Sequence, residues 1–159
     1  MNTNANTNAN IKEAHIKGTV VAVCVSHARG TKKDEVGGRA RLVEGYGIEG
    51  DAHGGNWHRQ VSLLSQEKVT EFNQRGGGAG NGDFGENVVV AGIDLRTLPV
   101  GTRLRVNDAL LEVTQIGKEC HRHCQIFDRV GDCIMPREGI FAKVLSGGSV
   151  GKGDAIEIV

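Results

Sequence analysis

Glycine punctuates this chain more than any other residue. The 24 glycines among 159 residues are about twice the usual share of ~7%. They are spread along the chain without a fixed period. A backbone interrupted this often favours turns, bulges and close approach of the main chain to a ligand over long helices. The stretches between are short and β-rich. "GTVVAVCV" (Gly18 to Val25) is a continuous apolar run that predicts a buried strand. "TRLRV" alternates Arg103 and Arg105 with Leu104 and Val106, and the polar pair Asn107-Asp108 joins it to "ALLEVTQI", a hairpin pattern. "VSLLS", "ENVVVAG" and the terminal "AIEIV" read as further strands.

Two short helices complete the pattern. One takes Ser65 as N-cap, runs through Glu67, Val69 and Phe72 to Arg75, and stops at the glycines of 76–78. The other follows Pro136, with Ile140, Phe141, Val144 and Leu145 on one apolar face and Gly147-Gly148 as its end. Aromatic residues are only 4%, so the core is built from Val, Ile and Leu. The fold expected is mainly β, barrel-like, with a few short helices.

The length suits one domain. Residues 1–10 repeat Asn, Thr and Ala, and the tail of residues 1–12 is expected to be disordered, because it has little apolar surface to offset ordering. Lys plus Arg and Asp plus Glu each number 19. That balance argues against a nucleic-acid or membrane-surface partner, which calls for a basic excess. No apolar run approaches the ~20 residues of a membrane span, and the N-terminus lacks a secretory pattern. A cytoplasmic location is expected. Four cysteines are too sparse for a disulfide scaffold.

Three segments could carry chemistry. In "GIEGDAHGGNWHRQVSLLS" a glycine-rich turn presents Asp51, His53, His58 and Arg59 before a strand. Arg59 could grip an oxyanion with its forked donors. Asp51, His53 and His58 could instead ligate a metal, or Asp51 could cap backbone donors in a solvated turn. In "NGDFGENVVVAG", Glu86 and Asn87 stand where a loop enters a strand. Asn87 offers a donor and an acceptor, suited to a heterocycle edge, or it organises the turn. In "GKECHRHCQIFDRVGDC", Cys120, Cys124 and Cys133 are spaced C-x3-C-x8-C with His121 and His123 between the first two. One zinc-type pair is present and the second is missing. A reactive thiol is the sharper reading. Lys118, Arg122 and the histidines favour ionisation of Cys120, while Glu119 opposes it. Cys24, inside the apolar run, reads as a core residue.

In order along the chain, "GIEGDAHGG…R-QVSLLS", "FGENVVVAGIDL", "G-K-E-C" and "GIFAKVLSGGSVGKGDAIEIV" resemble the MOSC domain family, named for the C-terminal domain of molybdenum cofactor sulfurases. The resemblance covers residues 18–159 and is that of a stand-alone member. It implies a mainly β, barrel-like fold and a role in molybdenum cofactor (Moco) chemistry. It makes Cys120 the hallmark cysteine, which would carry sulfane sulfur or ligate molybdenum. Asp51, His53, Arg59, Glu86, Asn87, Lys118 and Arg122 become candidates for binding the cofactor. Glu119 stands where the family often has Pro, and Cys124 and Cys133 are additions.

The resemblance thus implies Moco or a related pterin as ligand, with a sulfur-donor protein and a molybdoenzyme acceptor as possible partners. Pyridoxal phosphate is not expected, since no lysine motif supports it. The rival is a non-catalytic zinc- or iron-binding module using Cys120, Cys124, Cys133, His121 and His123. Persulfide labelling, bound metal and thermal stability, measured on three serine variants, separate the two. If Cys120 bears the function, Cys120→Ser abolishes it, whereas Cys124→Ser and Cys133→Ser each cause partial loss. A structural metal site predicts equal metal loss and destabilisation in all three.

Overall fold

Strand periodicity, bent by one bulge, builds the wall on which everything else sits. The computed structural model describes residues 16–119 and 133–159. The tail of residues 1–12 therefore lies outside the described residues. Strand β1 (Lys17–Val25) pairs antiparallel with β6 (Val88–Ala91), and the register shifts between Val20 and Ala22. The extra residue re-phases the strand. Val20 and Val23 join the main core, while Ala22 and Cys24 pack with Val89 in a separate cluster. Both faces of β1 are thus covered, which is why its sequence is apolar without alternation.

Seven strands close into a barrel. β11 (Ala155–Ile158), β7 (Arg103–Val106), β8 (Ala109–Ile116), β9 (Ile140–Ser146), β5 (Val61–Ser65), β6 and β1 follow one another, and β11 returns to pair with β1. Closure leaves no open edge among these seven strands; β2 (Asp34–Glu35) is appended to the end of β1. Inward residues such as Val61, Leu63, Leu111, Ile140, Ala142 and Val144 fill the interior. A three-stranded sheet of β10 (Gly148–Val150), β3 (Ala40–Val43) and β4 (Gly47–Ile48) adds Leu42, Ile48 and Val150 to that core.

The outer face of β5 and β9 carries a second core. Leu64 and Phe141 pack there with Val69 and Phe72 of helix α1 (Gln66–Gln74), and with Phe84, Ile134 and Met135. Phe72 and Phe84 meet edge to face at 5.1 Å. α1 is the crossover required by the parallel pairing of β5 with β6. Ser65 is its N-cap residue by position but makes no capping bond. Its hydroxyl instead donates to the Ile93 carbonyl and accepts from the Leu95 amide, tying the crossover down.

The hairpin at Asn107-Asp108 forms as its sequence predicts, with Asn107 at φ 52° and Val106 opposite Ala109. The strands at Val61–Ser65, Val88–Ala91 and Ala155–Ile158 form as well. The helix expected after Pro136 does not extend as its apolar face suggests. Only one turn forms, α2 (Met135–Glu138), and Gly139 then turns extended at ψ 152°. Residues 140–146 form β9, pairing with β5 on one side and β8 on the other. A short, wholly apolar run is ambiguous between helix and strand, and two waiting neighbours decide it.

Leu63, fully buried on β5, tests the barrel core. Leu63→Ala should cost about 2–5 kcal/mol, read in urea unfolding as a lower midpoint with an unchanged slope.

Candidate functional site

The outward side of β5 and β9 is roofed by loops, and between them lies a cleft of about 110 Å³. Ser62 and Phe141, opposite each other in the β5–β9 register, contribute to its wall. The loops supply Thr31, His53, Arg59, Asn87 and Lys118. Four residues singled out from sequence are therefore brought together: His53, Arg59, Asn87 and Lys118.

Arg59 is held by rings. Its guanidinium carbon lies 4.7 Å from the Trp57 ring centre and 5.5 Å from that of Phe141, an arrangement that orients a cation without spending its hydrogen bonds. Its Nε is buried and has no partner among the described residues, so this donor is unspent. Arg29 lies 4.9 Å from the same Trp57 ring and donates to the Ala52 carbonyl. Trp57 stacks nearly parallel to His53, at 8°, and its indole N–H donates to the His53 carbonyl at 2.7 Å.

Beneath His53 sits a buried ion pair. The Lys33 ammonium lies 2.6 Å from Asp51 Oδ1, 3.0 Å from Ser26 Oγ and 3.1 Å from His53 Nδ1, and both charged side chains are fully buried. Asp51 also accepts from the Ser26 and His53 amides. It does satisfy backbone donors, but in the interior rather than in a solvated turn. The metal arrangement of Asp51, His53 and His58 does not form. Lys33 occupies the place beside Asp51 and His53, and exposed His58 faces Gln115 at 2.8 Å. Among the described residues no group of three His, Cys, Asp or Glu side chains could hold a metal.

Asn87 is a strap. Its Oδ1 accepts from the Ser62 amide and hydroxyl, and its Nδ2 donates to the Cys24 carbonyl, so it binds β1 to β5. The side-chain oxygen is thus spent on the backbone. Glu86 is wholly buried, with Oε1 accepting from the Phe84 amide and Oε2 without a partner among the described residues. Burial pushes its carboxyl up to about 7. Burial, reinforced by Lys33, pushes His53 down to about 4. Cys24 is a core thiol as expected, raised to about 12 by burial. Cys133 is half-buried against the second core. Cys120, His121, Arg122, His123 and Cys124 lie outside the described residues.

Lys33 and Trp57 went unremarked in the sequence. Lys33 stands in "GTKKDEV" among polar neighbours, a pattern typical of a solvated loop. Trp57 carried a usable signal, since it is the chain's one tryptophan and lies between His53 and Arg59 in a glycine-rich loop.

A family model for the MOSC domain matches residues 49–157. The chain belongs to the MOSC domain family. Its barrel superposes on the YuaD protein from Bacillus subtilis with a TM-score of 0.75 and 21% identity, covering 90% of this chain and 96% of that one. YiiM from Escherichia coli matches with a TM-score of 0.65 and 21% identity, over 91% and 70%. YiiM from Geobacillus stearothermophilus matches at 0.62 and 18%, over 91% and 74%. At such identities the likeness is one of fold. No curated protein matches the sequence significantly. Among the described residues of this MOSC protein, no helix is long and apolar enough to cross a membrane.

His53 and Glu86 make opposed contributions to stability against pH. The lowered His53 contributes stability present above ~6.5 and lost as pH falls toward about 4. The raised Glu86 contributes stability present below ~4.5 and lost as pH rises through about 7. In the wild type the two slopes largely offset. Glu86→Gln should leave stability rising with pH between about 4.5 and 6.5, and His53→Gln should leave it falling between about 5 and 7. Urea unfolding across that range reads both signs.

Proposed function

We propose that this MOSC protein binds the molybdenum cofactor or a related pterin at the cleft, with Cys120 as its sulfur-bearing or molybdenum-ligating residue. The supporting observation is the cleft itself. Arg59, with an unspent buried Nε, meets Lys118 there, two residues before Cys120. Asp51, the buried carboxylate nearby, is already neutralised by Lys33, so the cleft suits an anion.

The residues fit such a group. Arg59 and Lys118 would hold its anionic end, and Trp57 and Phe141 would keep the guanidinium in place. At about 110 Å³ the cleft is smaller than the ~300–1,000 Å³ of whole-ligand pockets. It therefore takes one end of the cofactor, with the remainder outside. When bound, the cofactor supplies a molybdenum centre with sulfur ligands. The thiolate of Cys120 is a soft partner for either metal or sulfane sulfur. As a carrier it would attack the outer sulfur of a donor persulfide. A new sulfur–sulfur bond would form at Cys120 as the donor's breaks, and the donor would leave as its thiolate. Glu86, outside the cleft lining, and Asp51, beneath His53, would serve by holding the loops.

Elemental analysis and pterin fluorescence on protein purified from a host that makes Moco test this reading. Molybdenum and pterin should co-purify with the wild type. Arg59→Lys keeps the charge but loses the fork, so retention should fall roughly tenfold, with the fold intact. Stoichiometric zinc without pterin would favour the metal-module reading instead. Unchanged retention in Arg59→Ala would remove Arg59 from the site.

A further inference from the structure

Lys33 enters the proposal above only as the counter-ion of Asp51, yet its ammonium meets three polar side chains. A lysine ammonium has three donors and no acceptor. Three acceptor positions surround Lys33 Nζ: Asp51 Oδ1 at 2.6 Å, Ser26 Oγ at 3.0 Å and His53 Nδ1 at 3.1 Å. The Ser26 hydroxyl gives its own proton to the Ala28 carbonyl at 2.9 Å, so toward Lys33 it accepts. His53 Nδ1 must accept as well, because an Nδ1–H would point at an N–H. The imidazole proton therefore stays on Nε2.

We propose that Lys33 is a positioning residue, whose ammonium fixes His53 as an Nε2–H donor so that the cleft takes a ligand presenting a hydrogen-bond acceptor, such as an oxyanion or carbonyl oxygen, to His53. This rests on the cleft's being a ligand site. The surrounding structure holds the geometry. The Lys33 amide donates to the Gly82 carbonyl at 2.8 Å. Gly82 has φ +86°, and a Cβ there would collide with the Lys33 carbonyl oxygen, so only glycine permits this approach. Asp51 is anchored by two backbone amides, and Trp57 stacks on the His53 ring.

The charges around His53 oppose a second proton on the ring. Lys33, Arg29 and Lys118 act against it, Asp51 acts in its favour, and burial is the largest influence. Arg59 adds a further cation to the same cleft. His53 is thus a neutral donor across the physiological range.

The test is a long-range proton–nitrogen spectrum of the full chain labelled with 15N-histidine. The chain has six histidines, and comparison with His53→Gln assigns the one in question. The expected result is a single Nε2–H tautomer, unchanged from about pH 8 to about pH 5.5. In Lys33→Met, His53 should show mixed tautomers and titrate above its wild-type value, yet short of the ordinary ~6.5, because burial still lowers it. Should that variant fail to fold, the wild-type spectrum decides alone: an Nδ1–H or mixed tautomer overturns the proposal. Titration with orthophosphate then examines the cleft. A saturable shift of the His53 Nε2 resonance, lost in Arg59→Ala, supports the ligand site. The expected tautomer without any phosphate response overturns the anion-binding reading of the cleft but leaves the positioning of His53 by Lys33 standing.

Discussion

The return of β11 to β1 is the contact on which the rest depends. Ile156 lies opposite Gly18 and Glu157 opposite Lys17, so the last strand of the chain completes the first. Without that pairing the wall would be an open sheet with two unpaired edges and an interior exposed at the seam. The partners are more than a hundred residues apart, so closure comes at a large cost in chain entropy, which cooperative burial of the Val, Leu and Ile interior must offset.

Closure also decides where chemistry can occur. The barrel interior is filled by apolar side chains. The cleft lies instead on the outer side of β5 and β9, where the alternation of strand residues turns Ser62 and Phe141 outward. α1 and α2 cover the apolar part of that face, and the glycine-rich loops cover the polar part. Asn87 and the Lys33–Asp51 pair fasten these loops to the wall. Replacing one member of such a buried pair leaves the other charge unpaired, at a typical cost of ~3–5 kcal/mol. The polar groups behind the cleft are therefore held as firmly as a core, while Arg59 keeps a donor unspent.

Much of the architecture could be read from residue patterns. The strands at Gly18 to Val25, at "VSLLS" and at "ENVVVAG", and the hairpin at Asn107-Asp108, follow from β-branched content and turn chemistry. His53 and Arg59 stand in one glycine-rich turn that marks itself locally, whereas Lys118 was grouped with them only by the family resemblance. The strand at Ile140–Ser146 was not legible, because its apolar spacing fits a helix face as well as a doubly covered strand. Lys33 was not legible either, since its burial exists only because Asp51, eighteen residues away, folds back over it.

The sequence by itself determined what is local: short strands instead of long helices, the places where the chain turns, and the residue types offered to a ligand. Backbone preference and periodicity act over a few residues, so they can be read without knowing the neighbours. Tertiary structure alone decided which strands meet, that β9 lies between β5 and β8, and that a lysine in a polar loop becomes a buried clamp on a histidine. Those outcomes turn on desolvation and charge pairing between distant segments. Burying an ammonium is very costly when it is alone, and much of that cost is offset when a carboxylate is there to receive it.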